Sequence, residues 1–238
     1  MKTIVVIPAR LESTRLPNKL LLELGGKSII KRVHEQCLKA KGISAVYIAV
    51  DSLELKTHCE AFSDNVILTG KHHQSGTDRI ATAISEIECE AIINVQGDEP
   101  FIDPKLISEL AIAIQNTTMV SAMCPITNIS EVEDPNNVKV VTDLNYKALY
   151  FSRSVVPFNR DGINFDTITY YKHLGIYGYT KDFLLKYSIM KPTSLEQIEK
   201  LEQLRVLENG YTIQMVTTHH NAIGIDTITD YNNAKKLV

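Results

Sequence analysis

Near its start the chain carries Thr3-Ile4-Val5-Val6-Ile7, a run whose side chains are apolar on both pleat positions. A strand that faced water on one side would alternate; this one predicts burial on both faces, as in a parallel sheet between helices. From Ser28 to Lys41 the period changes, and Ile29, Ile30, Val33 and Cys37 fall on one helical stripe with Gly42 as its stop. Ala45 to Val50 predicts a second strand, Leu53 to Phe62 a short helix, and Val66 to Leu68 a short strand. Between Thr77 and Ile87, the positions Ile80, Ala83, Ile84 and Ile87 share a helix face. Ala91 to Val95 predicts another strand, and Pro104, well suited to a first helical turn, opens a helix to Ile114. Such alternation of strand and helix implies parallel strands with helices on both faces.

The second half departs from that rhythm. Val138 to Thr142 and Lys147 to Phe151 flank Asp143-Leu144-Asn145-Tyr146, which predicts a β-hairpin. His173 to Tyr179 predicts a strand. Glu196 to Glu208 predicts a helix with Ile198, Leu201, Leu204 and Leu207 inward and Gly210 behind it. Thr212 to Val216 and Thr227 to Leu237 predict a last strand and a closing helix, and the irregular stretch Pro157 to Thr169 is expected to form a mobile loop. The expectation is an α/β fold over residues 1–238 as one domain: a mixed, mostly parallel sheet, helices on both faces, and a hairpin region inserted at 136–180.

Composition narrows the partners. The chain is 238 residues long and 44% hydrophobic, enough to bury a full core, and its net charge of −3 argues against nucleic acid or an anionic membrane as main partner. Met1 to Pro8 lacks the basic region and long apolar core of a signal peptide. No apolar run approaches the ~20 residues that span a bilayer. Cys37, Cys59, Cys89 and Cys124 are scattered without a CxxC pair, which predicts reduced thiols in a cytoplasm.

Several familiar chemistries are excluded. A phosphate-binding Walker A loop needs glycine five residues before Gly26-Lys27-Ser28, and Leu21 stands there. His34-Glu35 meets Leu38 where a zinc protease needs its second histidine. The pairs His72-His73 and His219-His220 have no cysteine partners, and solvated loops are expected for them.

Three segments do carry chemistry. Pro8-Ala9-Arg10-Leu11-Glu12-Ser13-Thr14-Arg15-Leu16-Pro17-Asn18-Lys19 follows the first strand, where open α/β sheets bind ligands, and offers three cations that could wrap a polyphosphate. Asn94-Val95-Gln96-Gly97-Asp98-Glu99-Pro100 brings Asp98 to the same sheet edge, with Gly97 expected to let backbone approach the ligand. An aspartate there suits Mg²⁺, although a turn-capping carboxylate would read the same way. Gly224-Ile225-Asp226-Thr227 precedes the final helix, so Asp226 either caps that helix or meets Asp98 across a metal.

Together these segments resemble the 3-deoxy-manno-octulosonate (Kdo) cytidylyltransferases, the CMP-Kdo synthetases. The likeness runs in order through PARLESTRLPNK, HQSGTDR, NVQGDEPFIDP, NNVKVV, ALYFSRSVVPF, KHLGIYGY, SLEQIEKLEQLRVLENG and GIDT. Chance does not produce that series. The resemblance implies a Rossmann-like nucleotidyltransferase fold and transfer of CMP from CTP to Kdo with release of pyrophosphate, for lipopolysaccharide biosynthesis. It implies Mg²⁺ as cofactor and a homodimer, with contacts sought between Tyr146 and Pro157. Nucleotide contacts fall on Pro8, Ala9, Arg10, Ser13, Arg15, Lys19, Gln74, Ser75, Thr77, Asp78, Arg79 and Asp98. Asp98 and Asp226 match the metal positions; Gln96, Arg153, His173, Tyr177, Glu202 and Gln203 match the acidic-sugar site. Arg10, Arg15 and Lys19 would join the two aspartates in catalysis. His173 and Tyr177 are an even step apart, so both could face one side of a strand. The chain departs from the family pattern at Asn18 (often glycine), Leu20 (often proline) and Lys172 (often arginine), and Arg153 to His173 is short. The same reaction on 8-amino-Kdo or another acidic sugar stays open, as does, more remotely, a non-catalytic nucleotide-binding module.

Overall fold

The computed structural model describes residues 1–70, 73, 75–220 and 224–238. The first half holds β1 (Thr3–Ala9), β2 (Glu23–Leu24), β3 (Lys27–Ser28), α1 (Ile29–Leu38), β4 (Ala45–Val50), α2 (Leu53–Glu60), β5 (Val66–Leu68), α3 (Gly76–Ala83), β6 (Ala91–Asn94) and α4 (Pro104–Ala113). The second half holds β7 (Met119–Ile126), α5 (Ile129–Glu133), β8 (Lys139–Thr142), β9 (Ala148–Ser152), β10 (Tyr170–Thr180), α6 (Lys181–Ser188), α7 (Ser194–Glu199), α8 (Leu204–Glu208), β11 (Gln214–Thr217) and α9 (Ile228–Ala234).

Along the main sheet the order is β11-β7-β10-β6-β1-β4-β5. Every strand of that path except β10 runs the same way. The expected hairpin is β8–β9, joined to the main sheet through Tyr171 opposite Val140. Apolarity on both pleats of β1 has its predicted cause: Val5, Ile7 and Ala9 enter one core cluster, Ile4 and Val6 the other. Helix α1 packs on the first face, and α3 and α6 cover the second. Each wholly buried aliphatic of β1 contributes about 1.5–3 kcal/mol. All four cysteines are free and buried. Among the described residues no helix is long and apolar enough to cross a membrane.

Several predicted elements change shape. Helix α1 ends at Leu38 rather than Lys41, and Gly42, at φ 77°, serves the turn beyond it. Helix α3 stops at Ala83, where the Ser85 hydroxyl donates to the Thr82 carbonyl at 2.9 Å and competes with the next helical turn. β7 was not anticipated, because Ser121 and Pro125 interrupt its apolar run, yet it lies between β10 and β11. The long helix expected over Glu196 to Glu208 is two short ones. Lys200 adopts a left-handed conformation (φ 56°, ψ 46°) and closes α7. Its break turns Ile198 out to solvent, against expectation, while Leu201 and Leu204 stay buried. A side chain in that region costs about 1 kcal/mol. Lys200→Gly is therefore expected to raise the thermal midpoint by about 2 °C; a fall in calorimetry would show that the lysine contributes more than its backbone strain costs.

The stretch 157–169 holds no helix or strand, but Ile163 and Ile168 pack against a small cluster of Ile126, Val132 and Tyr170. Beside it, Lys139 has no exposed surface, and its ammonium donates to the carbonyls of Asp134 (2.9 Å), Asn137 (2.7 Å) and Arg153 (2.6 Å). One lysine thus fastens the turn before β8 to the end of β9.

Candidate active site

β1, β4 and β6 are parallel neighbours, so the loops that leave their carboxyl ends rise from one sheet edge. The loop after β1 is anchored by Leu16 and Leu20, both buried, while Arg10, Thr14 and Arg15 stay exposed. Asn18 sits at φ 50°, a left-handed conformation that asparagine tolerates better than most residues and glycine better still. Its turn draws Lys19 inward to 9% exposure.

Lys19 is the hub. Its Nζ donates to Asp98 Oδ2 at 2.6 Å and to Asp226 Oδ1 at 2.9 Å, and Arg15 Nη2 pairs with Asp226 Oδ2 at 2.9 Å. Burial works against charge on Lys19, but the two carboxylates outweigh it and hold its pKa above the usual lysine value. Residues 128 positions apart meet because the Ile225 amide donates to the Asp98 carbonyl at 2.9 Å. Asp226 does not cap α9. Thr227 does, in a reciprocal capping box with Asp230, which leaves the Asp226 carboxylate for the cleft. A Cβ on Gly97 would come within 3.1 Å of the Pro8 carbonyl, so the glycine lets the loop after β6 lie close against β1, and the same residue lines the cleft. Around this hub Pro8, Arg10, Ser13, Gln96 and Asp98 line a cleft of about 210 Å³.

Asp98 and Asp226 are the pair that could hold a divalent ion. Both offer hard oxygen donors, and both already converge on one positive charge, the Lys19 ammonium. Two carboxylates leave most positions of a Mg²⁺ shell to phosphate oxygens and water, which is how that ion usually binds. Among the described residues no group of three or more His, Cys, Asp or Glu side chains could hold a metal by itself. Such an ion would depend on phosphate for its remaining ligands.

A larger pocket of about 500 Å³ adjoins the cleft across the same loop and is lined by Arg10, Leu11, Ser13, Asp51, His73 and Arg79. His73 therefore faces a pocket wall rather than standing solvated; Gln74 and His72 lie outside the described residues. Ser75 caps α3 and accepts from the Asp78 amide at 3.1 Å. Thr77 is buried, with its hydroxyl in reach of the Tyr179 and Glu202 side chains. Arg79 is committed internally: Nη1 donates to Thr69 Oγ1 at 2.6 Å, and Nη2 lies 3.8 Å from Asp51. Asp51 in turn accepts from the Leu11 amide at 2.9 Å. It was not singled out from the sequence, although a carboxylate at the end of a parallel strand is the signal that could have found it.

Most of the residues expected on the sugar side gather where β10 overruns β6. Tyr177 is level with Asn94, the last residue of β6, so residues 170–176 extend past it toward Gln96 and Asp98. The rings of His173 and Tyr177 lie 5.5 Å apart, although the β10 ladder is not regular between them. Gln203 reaches both, with Nε2 3.4 Å from His173 Nδ1 and Oε1 3.4 Å from the Tyr177 hydroxyl. Burial pushes the His173 imidazole down to about 3, so it is neutral. Glu202 sits in the turn between α7 and α8, its carboxylate 3.5 Å from Ser75 Oγ, and burial raises its pKa. Arg153 does not join them. Its Nε donates to the Glu199 carbonyl at 2.8 Å and its Nη1 to that of Pro135 at 3.0 Å, so it braces the segment after β9. Glu99, next to Asp98, is pushed up to about 8 by burial and the neighbouring aspartate, against Lys172.

Comparison with known proteins bears on this arrangement. The family described as cytidylyltransferase matches residues 4–214. A 3-deoxy-manno-octulosonate cytidylyltransferase of Chloroherpeton thalassium is 42% identical over 100% of this chain and 98% of its own length. One from Francisella tularensis subsp. holarctica is 43% identical, covering 98% of this chain and 97% of that protein. A solved CMP:2-keto-3-deoxy-manno-octonic acid synthetase complexed with CTP superposes with a TM-score of 0.94 at 36% identity, over 100% of this chain and 98% of that one.

Proposed function

This chain belongs to the cytidylyltransferase family, and from that premise we propose that it joins CTP to 3-deoxy-manno-octulosonate, giving CMP-Kdo and pyrophosphate. The observation that carries the reading is the convergence of Asp98, Asp226, Lys19 and Arg15 at the sheet edge, beside a second pocket on the same loop.

The reaction brings an anionic sugar to a polyanionic nucleotide. Like charges ~4 Å apart repel by ~4 kcal/mol at an effective dielectric near 20. Arg10, Arg15 and Lys19 offset that repulsion, the arginines from exposed positions on the loop and Lys19 from its buried seat between carboxylates. Asp98 and Asp226 would hold Mg²⁺, which would supply further positive charge at the transferring phosphoryl group. As the sugar hydroxyl attacks the α-phosphorus in line, charge grows on the oxygen leaving with pyrophosphate, and the fixed cations of the loop stabilise it. No side-chain nucleophile is required. Positioning and electrostatics supply the acceleration.

The homodimer implied by the resemblance finds support in the exposed Leu144, Tyr146 and Leu149 of the β8–β9 hairpin. A CMP-Kdo product would serve lipopolysaccharide assembly.

Purified protein is expected to release pyrophosphate from CTP only with Kdo and Mg²⁺ both present, and chelation of the metal should stop it. Release without the sugar, or full turnover after chelation, would overturn the reading; a parallel reaction with 8-amino-Kdo separates the two acceptors.

A further inference from the structure

β10 does not pass β7 in an unbroken ladder. Its register shifts between Leu174, opposite Ala122, and Tyr177, opposite Ser121, so two extra residues of β10 fall between these pairs. Bulges of this kind free carbonyls and re-aim the side chains that flank them, here Leu174 and Tyr177, with His173 one position further on. Ser121 sits at the break with no exposed surface. Its hydroxyl lies 2.9 Å from the Ile176 carbonyl, 3.3 Å from that of Leu174 and 2.9 Å from His173 Nε2.

A serine hydroxyl has one proton to give. Donated to the freed carbonyl of Ile176, it leaves Ser121 Oγ only lone pairs for His173, so Nε2 must carry the imidazole hydrogen. In a neutral ring Nδ1 is then an acceptor, and the amide nitrogen of Gln203 must face it. That turns Gln203 Oε1 toward Tyr177, whose hydroxyl donates to it. Each direction along the chain follows from the one before it, beginning at a residue of β7 that lies opposite Tyr177 in the ladder.

We infer that Ser121 is a positioning residue for the sugar side of the site: it holds the bulge of β10 and sets the hydrogen-bond direction through His173, Gln203 and Tyr177. The identity of the ligand rests on the proposed function. A chemical consequence follows for recognition. Tyr177 commits its only proton to Gln203, so its oxygen meets a sugar hydroxyl as an acceptor, not a carboxylate as a donor. The buried serine also explains why a polar residue interrupts an otherwise apolar strand.

Two measurements test this. In protein carrying ¹⁵N-labelled histidine, the His173 ring is expected as the Nε2–H neutral tautomer; an Nδ1–H tautomer overturns the inference, and this readout needs no substrate. Ser121→Ala is expected to raise KM for the sugar by about tenfold while KM for CTP stays within about twofold, and Ser121→Thr, which keeps the hydroxyl, is expected to restore most of the loss. Equal changes in both KM values, or none, would mean the serine only supports the sheet. If the alanine variant does not fold, Ser121→Cys, a similar size with a weak donor, is expected to show the same split to a smaller degree, and its absence counts against the inference. A wild-type protein inactive on the sugar sinks the proposed function instead, while the tautomer still reads the hydrogen-bond chain.

Discussion

Asp98→Ala and Asp226→Ala are each expected to lower turnover by about three orders of magnitude, roughly 4 kcal/mol of transition-state stabilisation. Each removes half of the only carboxylate pair that converges in the cleft among the described residues, and no third acidic ligand stands by to replace it. Folding should survive. The side chains of Asp98 and Asp226 are 28% and 46% exposed, and Lys19 keeps one carboxylate partner in either variant. The check is pyrophosphate release at saturating CTP and sugar, together with a melting curve close to wild type. Turnover within about tenfold of wild type in either variant would remove the metal pair from the reaction.

The second large effect concerns stability rather than rate. Lys139→Met is expected to cost at least about 3 kcal/mol, lowering the thermal midpoint by about 10 °C. Methionine matches the stem of lysine but strips three carbonyls of their shared donor, at positions where Lys139 itself has no exposed surface. A buried carbonyl without a partner costs about 1–3 kcal/mol, and water can reach only some of them. Because Arg153 lies at one of the three, its brace on Glu199 and Pro135 should loosen as well. A midpoint within about 2 °C of wild type would show that the ammonium is dispensable.

Much of the fold was legible where burial is two-sided. β1, β4, β5 and β6 were placed within a residue or two because their runs are apolar, and their parallel pairing follows from the helices that alternate with them. β7 escaped because Ser121 and Pro125 break its apolar run, and the reason for that serine is visible only across the strand. The kink at Lys200 escaped for a different cause: left-handed residues are expected as glycine or asparagine, and a lysine gives no warning. Of the site, the cationic loop and Asp98 could be read from their place after strands. Asp226 could not be told from a cap, since the capping role of Thr227 and Asp230 differs from it by one position. Lys139 went unassigned because lysines are almost always at the surface.

The stitch between the Ile225 amide and the Asp98 carbonyl has a consequence in time. On a translating ribosome the cationic loop and Asp98 emerge early, but their second carboxylate arrives more than a hundred residues later. A nascent chain that has not yet exposed Asp226 lacks the carboxylate that pairs with both Lys19 and Arg15 in the folded cleft. The cluster closes only when Asp226 arrives, so a chain interrupted before it is expected to show no turnover.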